Sequence, residues 1–188
     1  MKFFGRKAAP KARPLLFSGW RHLFAAEPWP RSYEAQVREA YLGNPVAQRA
    51  VRLVAESVAW APVYAVREEK EGPSSGSGRA VSLLSPALLE TIATQLLLHG
   101  NAFVQIAQDA AALPAELFAL RPERVTVEAD AGGWPAAYLY KVGEAKRRIA
   151  ARDGLGRPGL AHLRAAHPLD DHYGLGCLGA AAGAVAIG

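Results

Sequence analysis

The sequence predicts an α+β domain in which two helices pack on an antiparallel strand meander. Two segments carry apolar residues at helical spacing, and each opens with a capping residue followed by proline. The second of these helices is followed by short runs rich in β-branched and aromatic residues, separated by turn signals. A helix pair followed by strands that can pair as hairpins is typical of the α+β class.

The first predicted helix covers residues 45–59. Asn44 can cap it and Pro45 fits its first turn. Pro62 ends the helical pattern, and residues 62–67 have the composition of a short strand. The residues that give the helix an amphipathic pattern are Val46, Ala50, Leu53, Val54 and Val58.

The second predicted helix runs from Ser85-Pro86 to a glycine stop at Gly100, and its apolar stripe is expected to pack on a sheet. The pattern then predicts strands at 101–106, 116–120, 124–128, 137–142 and 160–164, with a hairpin turn at 130–133. Residues 143–159 are predicted to form a loop. The Ala-rich stretch 177–187 has good helix propensity.

Charge divides the chain into an arm and a core. Residues 1–31 hold seven Lys or Arg residues and one acid, Glu27, which gives them a net charge of +6. The whole chain has a net charge of +5, so the remaining residues are close to neutral. Prolines interrupt any helix there, so residues 1–32 are predicted to form a basic, mobile arm that can contact nucleic acid. The core is predicted to be residues 33–188, with a Gly/Ser-rich linker at 68–80.

Several classes of protein are disfavoured by composition. Cys177 is the single cysteine, which excludes an internal disulfide framework and favours a reducing compartment. We expect its thiol to be small, buried and unreactive. The apolar residues 15–17 are too few for a signal peptide, and the longest apolar helix, 86–98, is too short to span a membrane.

Two patterns suggest chemistry, but neither has the context that the chemistry needs. Residues 174–179 match the dinucleotide-binding pattern G-x-G-x-x-G, yet no buried parallel strand precedes them. Metal-ligand residue types crowd residues 162–172, but their spacing fits no common site. We therefore predict no catalytic residue, no cofactor and no metal. The metal-ligand types in question are His162, His167, Asp170, Asp171 and His172.

Four segments in a fixed order resemble a known family. The first joins residues 41–45 to 50–59, the second is 97–104, the third is 117–127, and the fourth joins 162–164 to 167–175. Together they resemble the portal proteins of long-tailed double-stranded-DNA phages and gene transfer agents, over residues 41–188. The residues we assign to the family motif, all in structural roles, are Asn44, Pro45, Arg52, Glu56, Gly100, Asn101, Arg121, Pro122, Asp170, Asp171, Tyr173 and Gly174.

The resemblance implies a structural protein that acts by shape. Portal subunits form closed rings of about twelve copies, through which double-stranded DNA enters and leaves the head. The implied partners are other copies of the chain, terminase, the major capsid protein, a head-tail adaptor and DNA bound without sequence preference. The implied location is the particle, with assembly in the bacterial cytoplasm.

Two departures from the family leave alternatives open. Portal relatives have a longer connection between Val66 and Leu88, and they continue well beyond Ile187, so the chain resembles an N-terminal portion. The alternative functions are a portal remnant that does not assemble, a small interaction module and, less in keeping with the pattern, a nucleotide-binding enzyme that uses the Gly174 motif.

Overall fold

The computed structural model describes residues 33–64 and 81–180. The predictions for the basic arm at 1–32, the linker at 68–80 and the Ala-rich segment beyond Ala180 lie outside the described residues. So does the second half of the strand predicted at 62–67.

The ends of the main helices follow local chemistry. Helix α1, Tyr33–Gln36, continues directly into a π-helical turn, Val37–Leu42. The Oδ1 atom of Asn44 accepts hydrogen bonds from two backbone N–H groups of the first turn of α2, Pro45–Ala59. The Ser85 hydroxyl caps α3, Pro86–His99, in the same way. A short helix, α4, Cys177–Ala180, begins the Ala-rich segment.

Six strands form two antiparallel sheets of three strands each. The first sheet has the order β2-β1-β6, and the second has the order β3-β4-β5. A 3₁₀ turn at Pro122–Arg124 carries the chain from one sheet to the other. The strands are β1, Asn101–Gln108; β2, Pro114–Leu120; β3, Val125–Ala129; β4, Pro135–Val142; β5, Ala145–Ala150; and β6, Leu160–Arg164.

The α+β class and the long helices agree with the sequence prediction, and three details do not. The loop predicted at 143–159 contains β5, whose residue Ile149 is the single buried position of that strand. Residues 62–64 are not a strand, because no described strand pairs with them. The antiparallel strands also divide into two sheets, because β2 and β3 do not pair and β6 returns to pair with β1.

Each of the six strands contributes one buried side chain to a common core between the sheets. Partly buried residues of β3, β4 and the loop after β6 extend this core, among them Val127, Tyr140 and Tyr173. Because both sheets bury the same cluster, neither can keep its apolar face covered without the other. The six central residues are Phe103, Leu120, Val125, Tyr138, Ile149 and Leu160.

The helices form a second layer with a smaller core. Helix α3 packs against α2 and contacts β1 and β2, and the Gln95 amide nitrogen donates a 3.0 Å hydrogen bond to the Leu120 carbonyl oxygen. On α2, the buried residues are small, Ala55 and Ala59. The larger apolar residues of the predicted stripe face solvent instead, with Val46 77% and Leu53 53% exposed. The spacing predicted the helix correctly, but the apolar face is not the face that packs within this chain.

Candidate functional site

The most tightly connected polar site lies where α3 ends and β1 begins. Gly100 ends the helix with a φ of +81°, a left-handed conformation that residues with a side chain rarely adopt. The next residue, Asn101, is 1% exposed and is the buried polar residue of the described core. A buried amide that lacked partners would cost free energy, so its hydrogen bonds decide the role of this position.

Asn101 binds both backbone polar groups of Gly174, its N–H group and its carbonyl group. The Asn101 Oδ1 atom accepts a 2.8 Å hydrogen bond from the Gly174 N–H group, and Asn101 Nδ2 donates to the Gly174 carbonyl oxygen at 3.2 Å. These two contacts fix the orientation of the amide, because one end must accept and the other must donate. The side chain therefore acts like a paired strand residue and holds a segment 73 positions away in the chain.

Two histidines complete the partners of Asn101. The Nε2 atom of His162 lies 3.1 Å from Asn101 Oδ1, and the Nδ1 atom of His99 lies 3.1 Å from Asn101 Nδ2. Because Oδ1 can only accept, His162 must carry its proton on Nε2. The two N–H groups of Asn101 Nδ2 face the Gly174 carbonyl oxygen, the His99 carbonyl oxygen at 3.3 Å and His99 Nδ1. The chain of donors runs from His162 through Asn101 to His99.

Aromatic packing keeps the His162 ring neutral. The ring stacks on Phe103 with centroids 4.2 Å apart and meets Tyr138 edge-on at 5.8 Å. Burial, reinforced by the positive charge of Arg164, lowers the pKa of His162 to about 4. Burial also lowers the pKa of His99, although the nearby Glu123 carboxylate opposes this effect. Because both pKa values are lowered from 6.5, both rings are mostly neutral at pH 7.

Three glycines allow two backbones to touch beside Asn101. A Cβ atom on Gly100 would lie 2.5 Å from the Gly174 carbonyl carbon, and one on Gly174 would overlap the Gly100 carbonyl oxygen. A Cβ on Gly176 would likewise overlap the Leu98 carbonyl oxygen. The first two glycines of the G-x-G-x-x-G match, Gly174 and Gly176, therefore serve close backbone packing, and the N–H group of Gly174 already donates to Asn101.

The segment before Gly174 is shaped by its own polar residues. The Asp170 Oδ1 atom accepts hydrogen bonds from the backbone N–H groups of Tyr173, at 2.8 Å, and of His172, at 2.7 Å. These bonds lower the pKa of the Asp170 carboxyl group. The Tyr173 hydroxyl then accepts a 2.8 Å hydrogen bond from the Val127 N–H group on β3. One loop thus joins the helix end, the first sheet and the second sheet.

We call this arrangement the Asn101 junction, and it includes five of the predicted motif residues: Gly100, Asn101, Asp170, Tyr173 and Gly174. Asp171 lies beside it, exposed, in a cleft of about 530 Å³ that also has Trp134 and Arg164 in its wall. Among the described residues, no group of three or more His, Cys, Asp and Glu side chains could hold a metal ion.

The other motif residues lie elsewhere in the fold. Asn44 and Pro45 begin α2, and Arg52 forms a 3.0 Å ion pair with Glu56 on its exposed flank. Arg121 forms a 2.6 Å ion pair with Glu123, and Pro122 is buried in the turn between the sheets. The twelve motif residues therefore lie in three separate parts of the fold: the Asn101 junction with its neighbour Asp171, helix α2, and the turn between the sheets.

A second cleft lies between the α1 segment and this turn. It has a volume of about 430 Å³, and Tyr33, Arg38, Gln95 and Glu123 are in its wall. Burial, with a contribution from the Glu123 carboxylate, raises the pKa of the Tyr33 hydroxyl to about 12. Tyr33 also meets the His99 ring edge-on at 4.6 Å, which connects this cleft to the Asn101 junction.

One prediction is wrong, and the roles of two further residues were missed. Cys177 is exposed at the start of α4, whereas we expected a buried thiol, because the neighbouring Leu178 takes the inward position. The structural roles of His99 and His162 were not predicted. His162 was grouped with residues of metal-ligand type, and His99 was not singled out. The pairing of β1 with β6 brings His162 to Asn101, 61 residues away in the chain.

A family comparison identifies the architecture. The model of the phage portal protein family matches residues 45–188, which include the Asn101 junction, both sheets and α2. The chain belongs to the phage portal protein family. Within this portal-family chain, no helix of the described residues has the length and apolar character needed to cross a membrane.

Solved structures and a curated relative extend the comparison. The portal-family chain is similar to a chain in the virion of a native gene transfer agent particle, with 36% identity, a TM-score of 0.67 and coverage of 84% of this chain and 42% of that one. It is also similar to a chain in the neck of an empty gene transfer agent particle, with 33% identity, a TM-score of 0.70 and coverage of 85% and 44%.

Two further relatives agree in extent. A chain in the neck of a native particle, solved with C12 symmetry, is 35% identical with a TM-score of 0.66, over 87% of this chain and 44% of that one. An uncharacterized protein of Rickettsia felis is 30% identical over an alignment of 159 residues. The match covers 76% of this chain and 38% of that protein. The chain thus spans about two fifths of the length of the relatives it matches.

Proposed function

We propose that this chain is a structural subunit of the portal ring through which double-stranded DNA enters and leaves a phage head or gene transfer agent particle. The observation that carries the proposal is the likeness to chains of gene transfer agent necks, at 33–35% identity with TM-scores of 0.66–0.70. The likeness covers 85–87% of this chain.

The chemistry of the junction supports a role without catalysis. Asn101 uses its amide oxygen and nitrogen on Gly174 and on two neutral histidines, and the Tyr173 hydroxyl is bound to a β3 backbone N–H group. A catalytic group needs access to a reacting atom and a pKa matched to its task. Here the polar groups hold one loop in place between helix and sheets, which is a structural function.

The partners we propose are those of a portal subunit: further copies of this chain, terminase, the major capsid protein, a head-tail adaptor and DNA. Contacts with DNA are expected to be weak and directed to phosphates, since a conduit must let DNA slide. The basic residues of the arm at 1–31, with a net charge of +6, are the proposed source of these contacts.

The arm can be tested by deletion. Removal of residues 1–31 is expected to weaken retention on DNA and on heparin and to reduce the salt dependence of DNA binding, because phosphate contacts release counterions. The free energy of unfolding of the remaining chain is expected to change little. Equal retention by the deleted and complete proteins would place the DNA contacts outside the arm.

The proposed function can be tested by removing the gene from the bacterium or prophage that encodes it. We expect the deletion to abolish particles that hold nuclease-protected DNA and the complete gene to restore them. A complementing gene with Gly154→Ala, at a glycine whose Cβ would meet nothing within 4 Å, is the matched control and is expected to restore them fully. Undiminished DNA-filled particles after deletion would favour the non-assembling remnant or small interaction module.

A further inference from the structure

The hairpin between β4 and β5 concentrates positive charge at one end of the second sheet. Residues 141–148 are all exposed and hold four Lys or Arg side chains and one acid, Glu144, which gives them a net charge of +3. A two-residue turn that begins at Gly143, with a φ of +57°, joins the strands. We call residues 141–148 the basic hairpin. Its cations are Lys141, Lys146, Arg147 and Arg148.

Two lysines of the basic hairpin face each other. Lys141 on β4 is the register partner of Lys146 on β5, and these two are the lysines of the part of the chain that the structure describes. Facing side chains of an antiparallel pair have Cβ atoms about 5 Å apart, and like charges at that separation destabilise the pair. An anion bound between the two ammonium groups would remove this cost.

Three of the four cations share the outer face of the sheet. Ile149 points into the core between the sheets, so Arg148 and Lys146, at alternating positions of the same strand, point away from it. Lys141 lies on the same outer face, because it is directly opposite Lys146.

The protein neutralises one of these cations. Arg148 forms a 2.6 Å ion pair with Glu128 of β3. Within residues 33–64 and 81–180, Lys141, Lys146 and Arg147 form no ion pair. The face therefore keeps a positive charge that a partner of opposite sign can neutralise.

Protection of a sheet edge explains only part of this pattern. Lysines on an edge strand hinder pairing with other chains, and β5 is an edge strand of the order β3-β4-β5. Lys141, however, lies on β4, the middle strand of that sheet. The facing lysine therefore needs another explanation.

The composition of the basic hairpin favours phosphate groups over a protein partner. Protein–protein interfaces are depleted of lysine and have apolar or aromatic centres, whereas the one large exposed apolar side chain of this hairpin is Val142. Lysine and arginine supply the contacts to the phosphates of DNA, which carry charge at regular intervals. A two-stranded β-ribbon is also narrow enough to approach duplex DNA along its major groove.

We propose that the basic hairpin is a contact surface for the phosphates of double-stranded DNA, with Lys141 and Lys146 directed at the same phosphate or at adjacent ones. The inference deepens the proposed function and rests on it for the identity of the polyanion. It adds to the arm a second DNA contact, which lies on a folded sheet.

The salt dependence of DNA binding tests the proposal on the complete purified chain. Lys141→Gln/Lys146→Gln is expected to weaken binding to two duplexes of unrelated sequence alike. It is also expected to lower the slope of log Kobs against log salt by about 2, since each lost phosphate contact lowers it by about 1. The matched control, Arg38→Gln/Arg49→Gln, removes two exposed positive charges from the helical layer and is expected to keep the slope. Equal slopes for the two variants would overturn the proposal.

Two further measurements separate charge from structure. Lys141→Arg/Lys146→Arg keeps both charges and is expected to retain the slope of the unmodified protein. The thermal midpoint of Lys141→Gln/Lys146→Gln is expected to stay constant or rise, because a repulsive pair is removed. Loss of the slope in the arginine variant as well would assign the lysines a structural role and contradict the proposal.

An acidic protein is the competing partner, and poly-glutamate is the probe for it. If Lys141→Gln/Lys146→Gln loses binding to poly-glutamate but binds duplex DNA as the control does, the basic hairpin is a surface for an acidic protein and the proposal is wrong. The expected result is a greater loss for DNA than for poly-glutamate.

The proposed function and this inference can fail separately. If the gene is needed for DNA-filled particles but the glutamine variant binds DNA with the slope of the control, the portal role stands and the assignment of the hairpin is wrong. If the gene is dispensable for such particles while the slope falls as expected, the DNA contact stands and the portal role fails.

Discussion

Asn101 is the residue on which the geometry of the junction depends most. Asn101→Ala removes the hydrogen-bond partner of the Gly174 N–H group, of the Gly174 carbonyl oxygen and of two histidines. It therefore leaves buried polar atoms without hydrogen bonds. We expect a loss of about 2–4 kcal/mol in the free energy of unfolding, measured by urea denaturation, since unsatisfied buried groups cost about 1–3 kcal/mol each. Asn44→Ala, which removes an exposed cap, is expected to cost only about 1 kcal/mol. Equal losses for the two variants would contradict a central role for Asn101.

His162 makes stability depend on pH. Its pKa is lowered to about 4 in the folded chain from an ordinary value of 6.5, so the unfolded state binds the proton more readily. The stabilisation is complete above pH 6.5 and is lost as the pH falls toward 4, by about 2 kcal/mol after a discount for the partial exposure of the ring.

The pH dependence can be assigned with a variant that does not titrate. His162→Gln keeps an N–H donor for Asn101 Oδ1, and it is expected to flatten the decline of unfolding free energy between pH 6.5 and 4. The decline that remains belongs to the other groups, including His99, whose pKa is also lowered. An unchanged slope in His162→Gln would show that His162 does not contribute.

At the scale of elements, the contact between the end of α3 and the loop before α4 requires glycine, because the two backbones touch there. Gly174→Ala would place a Cβ against the Gly100 carbonyl oxygen and 2.7 Å from the Ala165 backbone nitrogen. Backbone atoms cannot give way as a flexible side chain can, so we expect a loss of several kcal/mol or a failure to fold. Gly154→Ala, with open space around it, is expected to change stability by less than about 0.5 kcal/mol. Thermal melting of the two proteins compares them directly.

The elements that could be predicted from sequence are those with local signals. Capping residues and prolines located α2 and α3 within a residue, and the Asp130 turn located the β3–β4 hairpin. Strand β5 was missed because Ile149 is its single buried side chain, so its sequence lacks an alternating apolar pattern. The outward orientation of the larger apolar residues of α2 could not be predicted either. Their spacing places them on one face of the helix but does not tell which face packs inward.

The Asn101 junction could be predicted only in part. The Gly100-Asn101 pair predicted a sharp turn from helix to strand, which is correct. The bonds from Asn101 to Gly174 and His162 join positions 73 and 61 residues apart, and no local pattern encodes such partners. Family resemblance indicated the residues, and the structure supplies their physical reason.

At the scale of the whole molecule, the two layers divide the work. The two sheets share one core, and Tyr173 of the Asn101 junction packs against it, while the helical layer presents the larger apolar residues of α2 outward. A ring subunit needs this combination: a body that keeps its shape and surfaces that repeat around an axis. We therefore expect variants of the Asn101 junction to lose folding stability, whereas variants at the exposed apolar residues of α2 stay folded.

The central claim is that the chain is a portal subunit, and its place and copy number in particles test it most directly. Particles purified from the encoding strain would be analysed by quantitative mass spectrometry and by electron microscopy with an antibody against this chain. We predict about twelve copies per DNA-filled particle, all at the neck, as the C12 symmetry of the similar neck suggests. Particles that hold DNA but lack the chain, or that carry it scattered over the shell, would contradict the account.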